Sequence, residues 1–277
     1  MRVKEAAQPD IGRRILRSAS LTLVLLFVLG VAFTMWMEDG FIYFPSRGGV
    51  GPSPGEEVDL TASDGVRIHG WYVPHPQAKV ALLYLHGNAG HIEDRRSFIG
   101  DLRDLPANVL ALDYRGYGKS EGRPSEDGLY RDVRAAYDWL ARRHDPARIV
   151  VLGKSLGAAP ACELATQVPL GGLVVQSAFT SIADMSRRVL PFFPARWFLR
   201  HKYDNLSKVP RIACPKLFIH GREDEMIPFE MAERLHAAAA EPKRAAWFDR
   251  GDHNGLIDGN GKAYFDALRR FLDDVAR

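Results

Sequence analysis

Ser155 stands between two glycines in a Gly-Lys-Ser-Leu-Gly segment at positions 153–157, directly after the apolar run Ile149–Leu152. A serine hydroxyl becomes a useful nucleophile when a sharp strand-to-helix turn holds it clear of its neighbours. Such a turn strains the backbone and brings it close to other segments, which favours flanking residues without side chains. The spacing therefore predicts Ser155 as a nucleophile at the end of a buried strand.

A second segment, Gly-Lys-Ser-Glu-Gly at positions 118–122, repeats the pattern around Ser120. The nearest predicted strand, Val109–Leu112, ends several residues before it, and Arg123-Pro124 interrupts the chain before any helix can begin. The pattern requires a strand directly before the serine and a helix directly after it. We therefore predict that Ser120 is a loop residue and that Ser155 is the nucleophile.

A nucleophilic serine needs a base, and the base needs a carboxylate that orients it. After a turn of this kind, the acid and then the histidine follow on loops behind later strands. The loop after the seventh predicted strand carries Glu223, Asp224 and Glu225. Asp224, at its middle, is the predicted acid, although spacing does not fix side-chain direction and leaves its two neighbours as alternatives. His253 is the predicted base; Asp252 is adjacent to it, but adjacent residues on an extended loop point in different directions.

The reaction also needs backbone N–H groups where negative charge develops on the substrate. One donor is predicted from Leu156, the residue after the nucleophile. The other is predicted from the glycine-containing loop 86–90 that follows the third predicted strand. Within this loop Asn88 is the predicted donor and Ala89 is the neighbouring alternative, whereas His86 is expected to be structural.

The hydropathy pattern predicts the elements that position these residues. Residues 56–62 and 66–73 flank a Ser-Asp-Gly turn and predict an antiparallel hairpin. Short continuous apolar runs follow, as expected of strands buried on both faces of a parallel sheet. These runs are 80–85, 109–112, 149–152, 173–175, 217–219 and 245–248. Helical segments lie between them, one capped by Ser125, so the sequence predicts an α/β fold with an eight-stranded, mostly parallel sheet covered by helices on both faces.

Composition narrows the range of functions. The chain has 277 residues, enough for one large domain, and a formal net charge of only +3. No basic stripe interleaved with aromatic residues is present, which argues against nucleic-acid binding. No His, Cys or Asp cluster has metal-ligand spacing, so neither a metal nor a cofactor is expected. The two cysteines, Cys162 and Cys214, are predicted to be small buried residues.

Residues 18–37 carry no charge and are dominated by Leu, Val, Phe and Ala. At about 1.5 Å per residue, a helix of this length spans a hydrocarbon layer of about 30 Å. A cleavable signal peptide is the alternative, but its apolar core is usually about 7–15 residues long and ends at a small-residue site. This run is longer and ends near Trp36 and Glu38. We therefore predict an uncleaved, single-pass membrane anchor.

The flanking charges predict the orientation of that anchor. Acidic residues follow the run, and basic residues precede it at Arg2, Lys4, Arg13, Arg14 and Arg17. Because positive flanks stay in the cytoplasm, residues 1–17 are predicted to be cytoplasmic and the bulk of the chain extracytoplasmic. Residues 38–55, rich in glycine and proline, are predicted to be a tether, and residues 56–277 the catalytic domain.

Residues 180–210 interrupt the alternation of strands and helices. They hold several aromatic residues among prolines and arginines, namely Phe192, Phe193, Trp197, Phe198 and Tyr203. One interpretation is a small cap that lines an apolar acyl pocket. The other is an ordinary core-facing helix with loops, because aromatic residues are commonly buried.

Together these motifs resemble the α/β-hydrolase superfamily over about residues 40–275, and within it the membrane-anchored Bem46-like and ABHD13-like branch. The matching segments are 41–46, 86–90, 113–120, 153–157, 220–224 and 251–254. The resemblance implies the α/β-hydrolase fold and a triad of Ser155, Asp224 and His253. It also implies acyl ester, thioester or lysolipid substrates, while relatives described as peptidases leave amide hydrolysis as an alternative.

We therefore expect a membrane-anchored serine hydrolase that cleaves carboxylic ester or thioester bonds through an acyl-enzyme. An amine is the harder leaving group, which favours esters over amides. A non-catalytic membrane scaffold is a further alternative, disfavoured because a scaffold does not need an ordered triad. Dehalogenases and epoxide hydrolases of this fold carry a carboxylate where this chain has Ser155.

Overall fold

The computed structural model describes residues 11–49, 51–189 and 197–277, which form ten strands and eight α-helices. The strands are β1 (Phe44–Pro45), β2 (Glu56–Thr61), β3 (Arg67–Val73), β4 (Val80–Leu85), β5 (Ala89–Gly90), β6 (Ala107–Leu112), β7 (Ile149–Lys154), β8 (Gly172–Gln176), β9 (Lys216–Gly221) and β10 (Lys243–Phe248). The helices are α1 (Ile11–Ile42), α2 (Arg96–Leu102), α3 (Glu126–Ala141), α4 (Ala158–Ala165), α5 (Ile182–Val189), α6 (Asn205–Lys208), α7 (Phe229–Ala238) and α8 (Gly261–Val275).

Eight of the strands form one sheet in the order β10-β9-β8-β7-β4-β6-β3-β2. Strand β3 is antiparallel to both of its neighbours, and the other neighbouring pairs are parallel. Strands β4, β8 and β9 are buried along their whole length, because helices cover both faces of the sheet. The predicted eight-stranded, mostly parallel sheet is confirmed.

Side chains alternate across the sheet and build a core on each face. Leu83 of β4 belongs to the core that includes helices α3, α4 and α7. Leu82 and Tyr84 belong to the opposite core, which includes α2 and α8. Burying each such side chain stabilises the fold by about 1.5–3 kcal/mol before the entropy of ordering is counted.

Helix α3 begins as the sequence predicts. The Ser125 hydroxyl accepts the Gly128 N–H at 3.2 Å, and Glu126 and Asp127 occupy the first turn. Both features stabilise a helix start, because the first N–H groups of a helix have no partner within it. The apolar stripe at Leu129, Val133, Ala136, Tyr137 and Leu140 is buried, so the helix lies firmly on the sheet.

Helix α1 extends beyond the predicted apolar segment 18–37 at both ends. Its stretch Arg17–Ile42 is long and apolar enough to cross a membrane by length and composition, and its apolar window is not buried against the protein. A signal sequence near the N-terminus has the same properties. The sequence pattern did not predict strands β1 and β5, which pair in parallel through Phe44 with Ala89 and Pro45 with Gly90.

The region predicted as a cap contains helices α5 and α6, and Phe192 and Phe193 lie outside the described residues. Trp197 is exposed, whereas Tyr203 is fully buried. The Phe198 ring contacts Phe27 of α1 with centroids 5.8 Å apart. This part of the chain therefore lies against the apolar helix. Both cysteines are free, Cys162 buried and Cys214 half-buried.

A buried ion pair fixes the loop after β6, which carries Ser120. The Arg115 guanidinium donates to Asp132 at 2.7 Å and to Asp64 at 2.7 Å, and Asp132 is fully buried. In the same loop the Ser120 hydroxyl accepts the His69 N–H at 2.8 Å and donates to the Asp113 carbonyl at 2.7 Å. Ser120 is thus a loop residue whose hydroxyl is already used for structure.

Removing the buried carboxylate should destabilise the fold far more than removing an exposed one from the same helix. We expect Asp132→Ala to lower the free energy of unfolding by about 3 kcal/mol, because the buried Arg115 loses one of its two carboxylate partners and keeps only Asp64. The control is Asp138→Ala, which breaks an exposed pair with Arg134 (2.9 Å) and should cost about 0–1 kcal/mol. Urea unfolding followed by circular dichroism measures both, and equal losses would contradict the assignment.

Candidate active site

Ser155 lies at a tight junction between β7 and α4. One 3-10 turn, Ser155–Gly157, links the two, and Ser155 has a backbone φ of 54°, a region that side chains disfavour. A Cβ atom on Gly153 would lie 2.6 Å from the Ala158 Cα, and one on Gly157 would lie 2.5 Å from the His86 carbonyl oxygen. Both flanks are therefore too closely packed for any side chain.

The three side chains predicted for catalysis meet at the carboxyl edge of the sheet. His253 Nε2 lies 3.0 Å from the Ser155 hydroxyl oxygen, and His253 Nδ1 lies 2.8 Å from Asp224 Oδ2. Ser155, Asp224 and His253 are only 6%, 4% and 6% exposed. The imidazole thus bridges the hydroxyl and the carboxylate, the geometry in which a histidine can take a proton from serine.

Asp224 stays charged although it is buried. Burial raises the pKa of its carboxyl group, but hydrogen bonds with His220, His253 and the Ile227 N–H outweigh this and hold the pKa well below its usual range. The Ile227 N–H donates to Oδ1 at 2.8 Å, and His220 Nε2 lies 3.3 Å from Oδ2 and 2.9 Å from the Ile227 carbonyl oxygen. An anionic Asp224 can orient the imidazole and stabilise its protonated form.

The sequence reasoning did not identify His220 as part of this site. It lies one residue before the end of β9, so the strand itself directs it toward the Asp224 loop. The only local indication was the His-Gly pair immediately before the acidic loop.

The neighbouring acids make other contacts. Glu223 is exposed and accepts the Gly251 N–H at 3.1 Å. Glu225 is exposed. Asp252 accepts the N–H groups of Asn254 and Gly255, which shapes the turn after His253. Within the described residues, Asp224 is the carboxylate hydrogen bonded to His253.

The loop predicted to donate to an oxyanion passes over the nucleophile. A Cβ atom on Gly87 would lie 3.5 Å from the Ser155 Cβ and 4.0 Å from its hydroxyl oxygen. The Asn88 carbonyl accepts the Phe44 N–H at 2.9 Å and the Tyr117 hydroxyl at 2.8 Å. Leu156 lies in the turn Ser155–Gly157, directly after the serine. The oxyanion role of the Leu156 and Asn88 N–H groups stays a prediction.

Buried polar and aromatic groups also contact the loop 86–90. His86 is fully buried, with its ring against Tyr114 and Tyr117 at centroid distances of 4.7 and 5.4 Å. The Tyr114 hydroxyl donates to the His86 carbonyl at 2.8 Å. Asp113 accepts the Ile92 N–H at 2.8 Å, which fixes the end of the same segment. These contacts fit the structural part expected of His86.

No group of three or more His, Cys, Asp or Glu side chains suited to a metal ion occurs within residues 11–49, 51–189 and 197–277. The functional groups in contact at the site are the Ser155 hydroxyl, the His253 imidazole and the Asp224 carboxylate. This set of groups is suited to acyl transfer.

The chain is similar to known proteins over most of its length. The model of the serine aminopeptidase S33 family matches residues 75–207. The uncharacterized protein Rv2307c of Mycobacterium tuberculosis is 41% identical over 267 residues, covering 92% of this chain and 95% of the relative. The α/β-hydrolase domain-containing protein WAV2 of Arabidopsis thaliana is 32% identical, covering 91% of this chain and 92% of its own.

Solved structures share the architecture. The esterase Pf2001 of Pyrococcus furiosus superposes with a TM-score of 0.71 at 23% identity, covering 84% of this chain and all of the esterase. At this level of identity the likeness concerns the fold alone. Since the relatives match nearly the whole chain, and since the sheet, the serine turn and the fold agree, the protein belongs to the α/β-hydrolase superfamily.

Proposed function

We propose that this protein is a serine hydrolase that cleaves carboxylic ester or thioester bonds through an acyl-enzyme. The observation that carries the proposal is the continuous hydrogen-bonded line from Asp224 through His253 to the Ser155 hydroxyl. His253 accepts the hydroxyl proton as Ser155 attacks the acyl carbonyl, and the N–H groups of Leu156 and Asn88 hold the oxyanion. The imidazolium then protonates the leaving group. Water attacks the acyl-enzyme with His253 again as the base, which releases the acid and restores Ser155.

Ester or thioester cleavage is favoured over amide cleavage because an amine is a poorer leaving group than an alcohol or a thiol. The esterase Pf2001 has the same fold, which is compatible with this choice. The matching family description, serine aminopeptidase, makes peptide or amide hydrolysis the second candidate. A non-catalytic scaffold gains nothing from the hydrogen-bonded triad and is the weakest alternative.

We further propose that α1 is an uncleaved membrane anchor and that the substrate carries a lipid-like acyl chain. Two large aromatic side chains at the end of α1, Phe41 and Phe44, are 67% and 50% exposed. Phe44 pairs directly with Ala89 in the loop over Ser155. Exposed apolar groups between a membrane helix and an active site suit a substrate presented at the bilayer surface. The substrate class would be acyl esters, thioesters or lysolipids.

The proposed arrangement keeps the predicted boundaries: a cytoplasmic segment at 1–17, an anchor at 18–37, a connection at 38–55 and a catalytic domain at 56–277. The basic residues before the apolar run 18–37 support a cytoplasmic N-terminus and an extracytoplasmic active site.

Substitution of the two serines with the same local pattern tests the nucleophile. Ser155→Ala should abolish labelling by a fluorophosphonate probe and lower kcat for p-nitrophenyl butyrate by about 10⁶-fold, since the triad acts as a unit. Ser120→Ala should still be labelled at Ser155, because the Ser120 hydroxyl of the wild type is hydrogen bonded to backbone groups and is not the predicted nucleophile. Equal labelling of wild type and Ser155→Ala would refute the assignment. A matched p-nitroanilide, hydrolysed faster than the ester, would favour the peptidase alternative.

Matched amide substitutions test the acid. Asp224→Asn should lower kcat by about 10⁴-fold at pH 7, because an amide no longer holds the imidazole in the correct tautomer. The exposed Glu225→Gln should leave kcat nearly unchanged.

The Asp224→Asn substitution also tests the charge of Asp224. Because the pKa of Asp224 is depressed in the folded state, its charge stabilises the fold above the unfolded-state pKa of about 3.9. This contribution is lost as pH falls below that value. The difference in unfolding free energy between wild type and Asp224→Asn should therefore shrink as pH falls below about 4.

Fractionation and a topology reporter test the anchor. We expect the full-length protein to remain in the membrane fraction after an alkaline wash, and a C-terminal alkaline phosphatase fusion to be active on the extracytoplasmic side. Recovery of a soluble protein lacking the first 37 residues would indicate a cleaved signal peptide instead. An inactive fusion would contradict the orientation.

A further inference from the structure

The end of helix α1 is fixed to the protein body. Glu38 is only 3% exposed, and its carboxylate accepts the backbone N–H groups of Arg200 (2.9 Å) and His201 (2.8 Å). Asp39 Oδ1 lies 2.8 Å from His201 Nε2 and accepts from the Arg200 guanidinium at 2.8 Å. The hydroxyls of Tyr43 and Tyr203 are hydrogen bonded at 2.8 Å. The residues that leave the helix therefore have a defined position.

The next residues reach the loop over the nucleophile. The side-chain amide of Asn88 donates to the Ile42 carbonyl at 3.2 Å, and the Phe44 N–H donates to the Asn88 carbonyl at 2.9 Å. The first bond holds the side chain of the residue whose own N–H is the proposed oxyanion donor. The second holds its carbonyl together with the Tyr117 hydroxyl, which donates to the same oxygen at 2.8 Å. Beyond them, β1 pairs in parallel with β5, so the contact continues to Gly90.

The loop 86–90 depends on contacts with other segments to fix its backbone conformation. It contains Gly87 and Gly90, and Gly90 has a φ of +75°, so its own side chains restrict the backbone little. Stabilisation of an oxyanion depends on donors that are in place before the reaction begins. A donor displaced by about 1 Å can cost about 100-fold in rate.

We propose that residues 42–44 act as a positioning element for the Asn88 N–H. This inference rests on the serine hydrolase function proposed above. It makes the chain between helix and domain a part of the catalytic geometry. The helix that is proposed to enter the bilayer thus ends against the active site.

Asn88→Ala in the full-length protein tests the inference, because it removes the bond to Ile42 but keeps the backbone N–H. We expect kcat per titrated active site to fall by about 10-fold to 100-fold, with KM within about twofold. The affinity of an aliphatic trifluoromethyl ketone should weaken by the same factor, because its adduct with serine places an oxyanion on the same donors. Phe44→Pro removes the second bond and should act in the same direction.

Asn108→Ala is the matched control. Asn108 lies in β6, and its side chain accepts the His75 N–H at 2.9 Å, so the variant loses a comparable bond outside the active site. Its kcat and ketone affinity should equal those of wild type. Unchanged values in Asn88→Ala, or equal losses in Asn88→Ala and Asn108→Ala, would overturn the positioning role. A wild type that neither hydrolyses esters nor is labelled at Ser155 would instead overturn the proposed function itself.

Discussion

The constraint on which the site depends is the backbone of Ser155, held at a positive φ where β7 meets α4. A strained residue persists only when its surroundings fix it, and here β4 and β8 hold β7 on both sides. Gly157 packs against the carbonyl oxygens of Leu85 and His86, so the turn also fixes where the loop after β4 must run. Ser155 and the loop after β4 are thus held together by the close packing at Gly157.

The second constraint is electrostatic. Asp224 and Asp132 are both buried carboxylates, and each is surrounded by hydrogen-bond donors. Asp132 is paired with the permanently charged Arg115, which makes it a structural element. Asp224 is paired with His253, the proposed base. Hydrogen bonding of a buried carboxylate therefore fixes a loop in one place and orients an imidazole in the other.

The sequence could predict what is encoded locally. Continuous apolar runs mark the buried strands, and glycines at fixed spacing mark the turn at Ser155, because both depend on neighbouring residues alone. Asp224 and His253 followed from the order of loops along the sheet, which a parallel topology dictates. By contrast, the pairing of Phe44 with Ala89 and the contact of Glu38 with residues 200–201 join distant segments through short, irregular stretches. His220 was missed because its importance lies in a contact with a loop and not in a pattern.

Glu38 lies in the last part of α1 and fixes the end of this helix to the rest of the domain. Burying a carboxylate away from water costs several kcal/mol of free energy unless hydrogen bonds from the protein replace those from water. Here two backbone N–H groups of residues 200–201 supply them, so the helix end is stabilised only in this one position. The chain beyond the helix stays attached to the domain, because the Gly118 N–H donates to the Ser46 carbonyl at 2.8 Å and the Gly48 N–H donates to the Gly118 carbonyl at 3.0 Å. The proposed anchor would therefore be joined to the loop over Ser155 by a series of hydrogen bonds, whereas a loose tether would leave the two independent.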